Sequence, residues 1–222
     1  VTIGPVIPPL LLTLKVAALA TLGALILGVP AAYAVGRSRF PGRSLLDALA
    51  TMPMVLPPTV LGYYLLVLFG RNGVIGKLLN EYFGVTLLFS WQGAVVASSV
   101  VAFPLVFTTA RAAFESVDRD LTDAARTLGA SGLSLFTRIS LPLAWPGILA
   151  GSMLAFARGM GEFGATLMIA GNIPGKTQTL SLAVYDAVMA GHDDKALFLV
   201  IVVSLASLAV LVASGKILGR RR

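Results

Sequence analysis

Asp123-Ala124-Ala125-Arg126-Thr127-Leu128-Gly129, nine further residues, then Ile139-Ser140-Leu141-Pro142: this polar stretch lies between two apolar runs, each long enough to cross a bilayer. Its residues read as helix, tight turn, helix. Asp120 is a suitable N-cap and Asp123, three residues on, can reach back to it in a variant of the capping box. Both acids also suit the positive end of a helix dipole. Ala124 and Ala125 are small enough to let another protein surface approach the backbone. Gly129 fits a left-handed C-terminal cap, which glycine adopts at little cost. Ser131 then caps a second short helix carrying Leu133, Phe136 and Ile139, and Pro142 suits the first turn of the following span, where its missing N–H has no partner. An ordinary connecting loop needs neither two caps nor paired alanines. The stretch therefore reads as a docking surface for a water-soluble partner.

The rest of the chain supplies the membrane. Of 222 residues 57% are hydrophobic and 12% are charged, whereas a soluble domain carries about a quarter charged residues. Five apolar segments reach spanning length: near 9–35, with Gly28-Val29-Pro30 inside; near 44–69, interrupted by Pro53, Pro57 and Pro58; near 90–114, with Pro104; near 142–170; and near 196–218. Prolines are tolerated in such helices where neighbours or a wet cavity satisfy the freed carbonyls, so three within six residues in the second span point to a lining of a path. The first apolar run has no basic region before it and reads as a retained span, not a cleaved signal peptide. The expected fold is an all-α integral membrane protein, one domain over 1–222, with about five transmembrane helices and cytoplasmic coupling helices (118–142) between spans three and four.

Orientation follows from the cations. An N-terminus outside and a C-terminus in the cytoplasm put Arg37, Arg39, Arg43, Arg111, Arg119, Arg126, Arg138, Lys216 and Arg220 to Arg222 inside, against Arg71, Lys77, Lys176 and Lys195 outside. Eleven against four is the positive-inside pattern. The net charge of +7 thus reflects arginine-rich loops, and no nucleic-acid partner is expected. Lys15 and Arg158 fall within spans, and Trp91 and Trp145 mark span ends. Outside, 73–83 has helical spacing and reads as a short interfacial helix; 171–195 opens with a Gly-Asn-Ile-Pro-Gly turn cluster and continues into an apolar stretch near 180–189.

Arg158 and Glu162 stand one helical turn apart in the fourth span. Each ionisable group there costs about 2.5–3.5 kcal/mol to insert, so they are expected to pair and to face protein or water. A carboxylate in the path of an anion would repel it; Glu162 therefore reads as structural, while Arg158 serves equally as a contact for an anion, a gate or a packing element. Gly159, Gly161 and Gly164 permit close helix approach or a break in the helix. Thr166 either donates to an anion or, the better expectation, bonds back to its own helix.

Other chemistries fail. With no cysteine and one histidine, neither a thiol nor a zinc site is available, and no cofactor is expected. Gly129-Ala130-Ser131-Gly132 resembles a short string around membrane-protease serines, but His192 lies in an outside loop across the bilayer, so no dyad forms. A self-powered carrier would need Glu162 as a proton or sodium site, and the polar segment at 118–142 would have no role in one. The chain lacks G-x-x-x-x-G-K-[ST], so any ATP chemistry belongs to another subunit.

The run Asp-Ala-Ala, three residues, Gly, nine residues, Ile-x-Leu-Pro resembles the cytoplasmic coupling motif of bacterial ABC importer permeases, with Asp123 in place of the more usual glutamate. Leu14-Lys15-Val16, Phe40-Pro41-Gly42, Leu56-Pro57-Pro58, Ala155-Phe156-Ala157-Arg158, Gly161-Glu162-Phe163-Gly164-Ala165-Thr166 and Asn172-Ile173-Pro174-Gly175 resemble the molybdate subgroup; sulfate permeases share a looser version of the last group. The resemblance implies a homodimeric, multi-pass subunit of a bacterial or archaeal plasma (inner) membrane. It implies an ABC ATPase dimer bound at Asp123, Ala124, Ala125, Gly129, Ile139, Leu141 and Pro142. An extracytoplasmic oxyanion-binding protein would deliver molybdate or tungstate. It also implies a translocation path or gate near Arg158, Gly161, Glu162, Gly164 and Thr166. Sulfate transport is the alternative it leaves.

Overall fold

The computed structural model describes residues 6–37 and 41–219. Arg39 and Phe40 of the sequence reading, and Arg220 to Arg222, lie outside them, as does the side chain of Lys216. The described residues form helices joined by turns and short irregular stretches, with no strand among them. Helix α1 spans Ile7–Arg37, α2 Arg43–Val55, α3 Pro58–Phe69, α4 Val74–Phe83, α5 Trp91–Glu115, α6 Arg119–Thr127 and α7 Gly132–Leu135. A π turn at Phe136–Ser140 leads into α8, Leu141–Met160; α9 is Gly164–Ala170, α10 Leu180–Met189 and α11 Asp193–Gly219.

Among the described residues four helices are long and apolar enough to cross a membrane: α1, α5, the continuous run Gly132–Met160, and α11. The fifth expected span exists only as a bent pair. α2 and α3 meet at 111° across Leu56-Pro57. Proline at 57 and 58 removes two backbone donors, and Leu56 before them is pushed to an extended conformation (φ −67°, ψ 139°). The short helix predicted over 73–83 is α4, and the apolar stretch near 180–189 is α10.

α1 and α5 form the centre of the bundle. Ala17, Ala20, Ala24 and Ala32 of α1 and Ala94, Ala97, Ala102 and Ala110 of α5 are all buried. Lipid is as apolar as leucine, so small residues that let backbones approach hold membrane helices together by dispersion. α8 packs on the same pair. A Cβ at Gly147 would come within 2.5 Å of the Ala113 Cβ, and one at Gly151 within 1.8 Å of the Thr109 hydroxyl. Those two glycines set how deeply α8 sits against α5. At the far end Thr13 of α1 accepts from the Leu180 backbone N–H at 2.8 Å, supplying from another helix the cap that Thr179 does not provide for α10. Lys15, which sequence left unpaired in a span, lies 3.4 Å from the centroid of the Trp91 ring. Its charge is met by the face of that indole.

The fourth span differs from expectation at both ends. Pro142 stands in the first turn of α8, as expected, but α8 follows α7 without a gap through the π turn, so the helical run begins at Gly132. The proline also accounts for the π turn: its ring would collide with the carbonyl four residues back, and widening the preceding turn relieves that clash. The Leu141 N–H accordingly reaches back five residues to the Phe136 carbonyl. At the other end α8 stops at Met160, and α9 begins as a separate element at Gly164.

Candidate coupling surface and membrane break

The polar insert folds as a helix, a glycine turn and a second helix. Its N-cap is Asp118, not Asp120: the Asp118 carboxylate accepts from the Asp120 N–H at 2.9 Å. Asp118 has the extended backbone that a capping residue requires, whereas Asp120 already lies in the helix. Asp123 closes no capping box; it pairs with Arg126 at 3.4 Å on the exposed surface. The far end matches expectation. Gly129 adopts φ +83°, its N–H bonds to the Arg126 carbonyl, and the Ala130 N–H bonds to that of Ala125. This is the double bond of a Schellman turn, satisfying two carbonyls otherwise left open. Ser131 then accepts from the Ser134 N–H at 3.3 Å and starts α7.

α6 has two opposed faces. Leu121, Ala124 and Leu128 recur at helical spacing on one, and Leu121 and Leu128 are 51% and 88% exposed. Leu133 of α7 adds a third large apolar side chain, 73% exposed. Such side chains at the charged end of the bundle lie where water, not lipid, would meet them. Arg119, Thr122, Asp123 and Arg126 occupy the opposite face, towards the bundle.

The insert is anchored by residues that pattern reading did not single out. Arg37, the last residue of α1, donates to the Thr122 hydroxyl at 2.6 Å and to the Ser140 hydroxyl at 3.4 Å. One guanidinium thus holds α6 and the π turn, the two halves of the motif, to the end of the first span. Phe136 packs in an aromatic trio with Tyr33 and Phe114, centroids 4.8 and 6.1 Å away. Behind them Arg111 pairs with Asp47 and Arg43 with Glu115, tying α2 to α5. In sequence Arg37 counted only as one basic residue among many. Its partners lie 85 and 103 residues away, with no local signal to announce them. Ile139 and Leu141 lie half-buried in and just after the π turn, and Leu141 packs against the core formed by α1, α5 and α8.

At the other end of α8, Arg158 Nη1 lies 2.8 Å from Glu162 Oε2, so the predicted pair forms. Glu162 is buried and Arg158 is 38% exposed. Because the helix breaks between them, Glu162 does more than balance a charge: its Oε1 accepts from the Ala165 N–H at 3.0 Å and caps α9. The glycines divide. A Cβ on Gly164 would meet that of Pro58 at 2.9 Å, and one on Gly62 would meet the Ala165 Cα at 2.9 Å. α3 and α9 therefore pack backbone to backbone. Gly161 neither makes a close contact nor needs a positive φ; the nearest atom to its Cβ position is 3.9 Å away. Thr166 does not bond back to its helix, and its buried hydroxyl has no hydrogen-bond partner among the described residues. The break in α8–α9 thus faces the break in α2–α3, and Arg158 lines a cavity of about 150 Å³ between them with Pro53, Met54, Leu56, Pro58 and Leu61.

Residues 5–222 match the family described as binding-protein-dependent transport system inner membrane component. The chain is 47% identical over 205 residues to the molybdenum transport system permease protein ModB of Escherichia coli K12, covering 91% of this chain and 90% of that one. It is 51% identical over 174 residues to ModB of Haemophilus influenzae, covering 78% and 76%. The fold resembles an inward-facing crystal structure of the MetNI methionine ABC transporter at a TM-score of 0.76 and 16% identity, over 98% of this chain and 96% of that one. Sequence, helical architecture and fold agree that the chain belongs to the binding-protein-dependent ABC permeases, the multi-pass inner membrane components of these transport systems.

Proposed function

We propose that the chain, as one permease domain, forms half of a homodimeric path for molybdate or the near-isosteric tungstate, with its N-terminus outside and its C-terminus in the cytoplasm. An extracytoplasmic binding protein presents the anion, and a separate ATPase subunit takes the exposed Leu121–Ala124–Leu128 face of α6 into a cleft. The molybdenum permeases it resembles support the cargo, and the family description itself supports a binding protein. The eleven-to-four bias of basic residues supports the orientation.

One observation carries the coupling. Gly132–Met160 is a continuous helix of 29 residues, about 43 Å long at 1.5 Å per residue, with the docking surface at its start and Arg158 near its end. Movement of α6 and α7 by the ATPase is passed to α1 through Arg37 and along α8 to the paired breaks around Arg158. There the Arg158 guanidinium, held from behind by Glu162 Oε2 at 2.8 Å, contacts the passing oxyanion, while the other oxygen of Glu162 caps α9. One cation in an otherwise apolar cavity suits a path, because an ion that must leave cannot be held in a strong cage.

The test is reconstitution of the permease with its ATPase and binding protein. Gly129→Pro or Ala125→Trp should leave the dimer assembled and abolish substrate-stimulated ATP hydrolysis. Full stimulation in either variant would remove the coupling reading. Uptake that proceeds without ATP or ATPase would place the protein among self-powered carriers.

A further inference from the structure

Behind α6, on the face turned away from the proposed docking surface, lies a cavity of about 520 Å³. It is bounded by Arg37 at the end of α1, Arg43 at the start of α2, Glu115 at the end of α5, and Arg119, Asp123 and Arg126 of α6. Four guanidinium groups and two carboxylates share this space, and the carboxylates are already engaged. Glu115 pairs with Arg43, and Asp123 with Arg126. Arg37 bonds only to the neutral hydroxyls of Thr122 and Ser140. Arg119 has no ion pair and no side-chain hydrogen bond among the described residues. Two positive charges therefore remain unbalanced in one concave space at the most basic end of the molecule.

We propose that this cavity binds a tetrahedral oxyanion of phosphate type, held between Arg37 and Arg119. Guanidinium groups are planar forks of donors matched to phosphate oxygens, and basic pockets between helices at a membrane surface take lipid headgroups. The group is either the phosphate of an anionic phospholipid or a free phosphate-like ion; both offer the same oxygens. Once bound, it cross-links α1 to α6 on the side opposite the docking surface and stiffens the coupling helix against the bundle. The site stands apart from the docking reading and survives if that reading fails.

Two probes on the full chain in nanodiscs test it. Native mass spectrometry after reconstitution in phosphatidylcholine doped with phosphatidylglycerol counts retained anionic lipid. Equilibrium dialysis of labelled inorganic phosphate against pure phosphatidylcholine nanodiscs counts the free ion. Saturable retention of either probe should fall about tenfold in Arg119→Gln, the loss expected for one charge-assisted contact, and further in Arg37→Gln with Arg119→Gln. Arg71→Gln, in the turn between α3 and α4 and outside the cavity, should retain the probe like the native chain. Retention of the lipid identifies a headgroup site and retention of phosphate a free-ion site. Arg119→Gln is the informative variant, because it removes no contact within the protein and so tests binding without disturbing the fold. If neither probe is retained, or if retention is equal in the native chain and both variants, the proposal is wrong.

Discussion

Arg158 and Glu162 show what residue spacing can and cannot disclose. Four positions apart in an apolar run, they were legible as a pair, because two lone charges in lipid are far costlier than one ion pair. That Glu162 also caps α9 was not legible, since it depends on where the helix breaks. Arg158→Ala leaves a buried carboxylate without its cation and should destabilise the protein by about 2 kcal/mol, below the roughly 3–5 kcal/mol of a fully buried pair because Arg158 is 38% exposed. Arg158→Ala with Glu162→Ala should cost less than the two single changes summed; thermal unfolding of the four proteins in detergent measures the coupling, and strict additivity would deny the pair. The glycines offer a second comparison. Gly164→Ala drives a methyl group into Pro58 and should cost about 1–3 kcal/mol, whereas Gly161→Ala meets open space and should stay within about 0.5 kcal/mol. Equal losses in the two variants would contradict the packing of α3 on α9.

At the scale of elements, caps were easier to read than breaks. Gly129 and Ser131 announced the turn and the second helix because their local chemistry is enough to make them. The N-cap was misplaced by two residues, since Asp118 and Asp120 are equally good cappers in sequence and only backbone conformation separates them. Pro142 was read as a helix start and does stand in the first turn of α8, but the π turn before it, which its ring accounts for, joins α8 to α7 in one longer run. A proline reports that a donor is missing, not how the turn before it will adapt. Replacing it removes the clash: Pro142→Ala should let Phe136–Ser140 return to α-helical bonding, rotating α7 by about 100° relative to α8. Transport should then fall sharply while dimer assembly is kept. Spin labels on Leu133 and Ala150 would show the rotation as a changed separation; an unchanged separation would mean that the turn has another cause. Arg37→Met should likewise lower substrate-stimulated ATP hydrolysis several-fold without loss of assembly, since a charge-assisted bond of this kind contributes about 1.5–3 kcal/mol. Native stimulation in that variant would show that the Thr122 and Ser140 contacts carry nothing.

For the whole molecule, class and span count followed from hydropathy, because lipid leaves the backbone no choice but helix. Among the described residues three spans stand as expected, the fourth begins earlier and ends at Met160, and the remaining one is the bent pair α2–α3. Long-range partners stayed hidden: Arg37 with Thr122, Thr13 with the Leu180 N–H, Lys15 with Trp91. No periodicity encodes which helix end meets which. The central claim is that the apolar face of α6 is where an ATPase subunit grips this permease. Because the chain has no cysteine, Ala124→Cys gives a single thiol on that face. In vesicles containing the permease and its ATPase, a short bifunctional reagent should join Ala124→Cys to the ATPase subunit, and Leu121→Glu with Leu128→Glu in the same chain should abolish the product. A cross-link that forms as well from Lys77→Cys on α4, or none at all from Ala124→Cys in an assembled complex, would contradict the account.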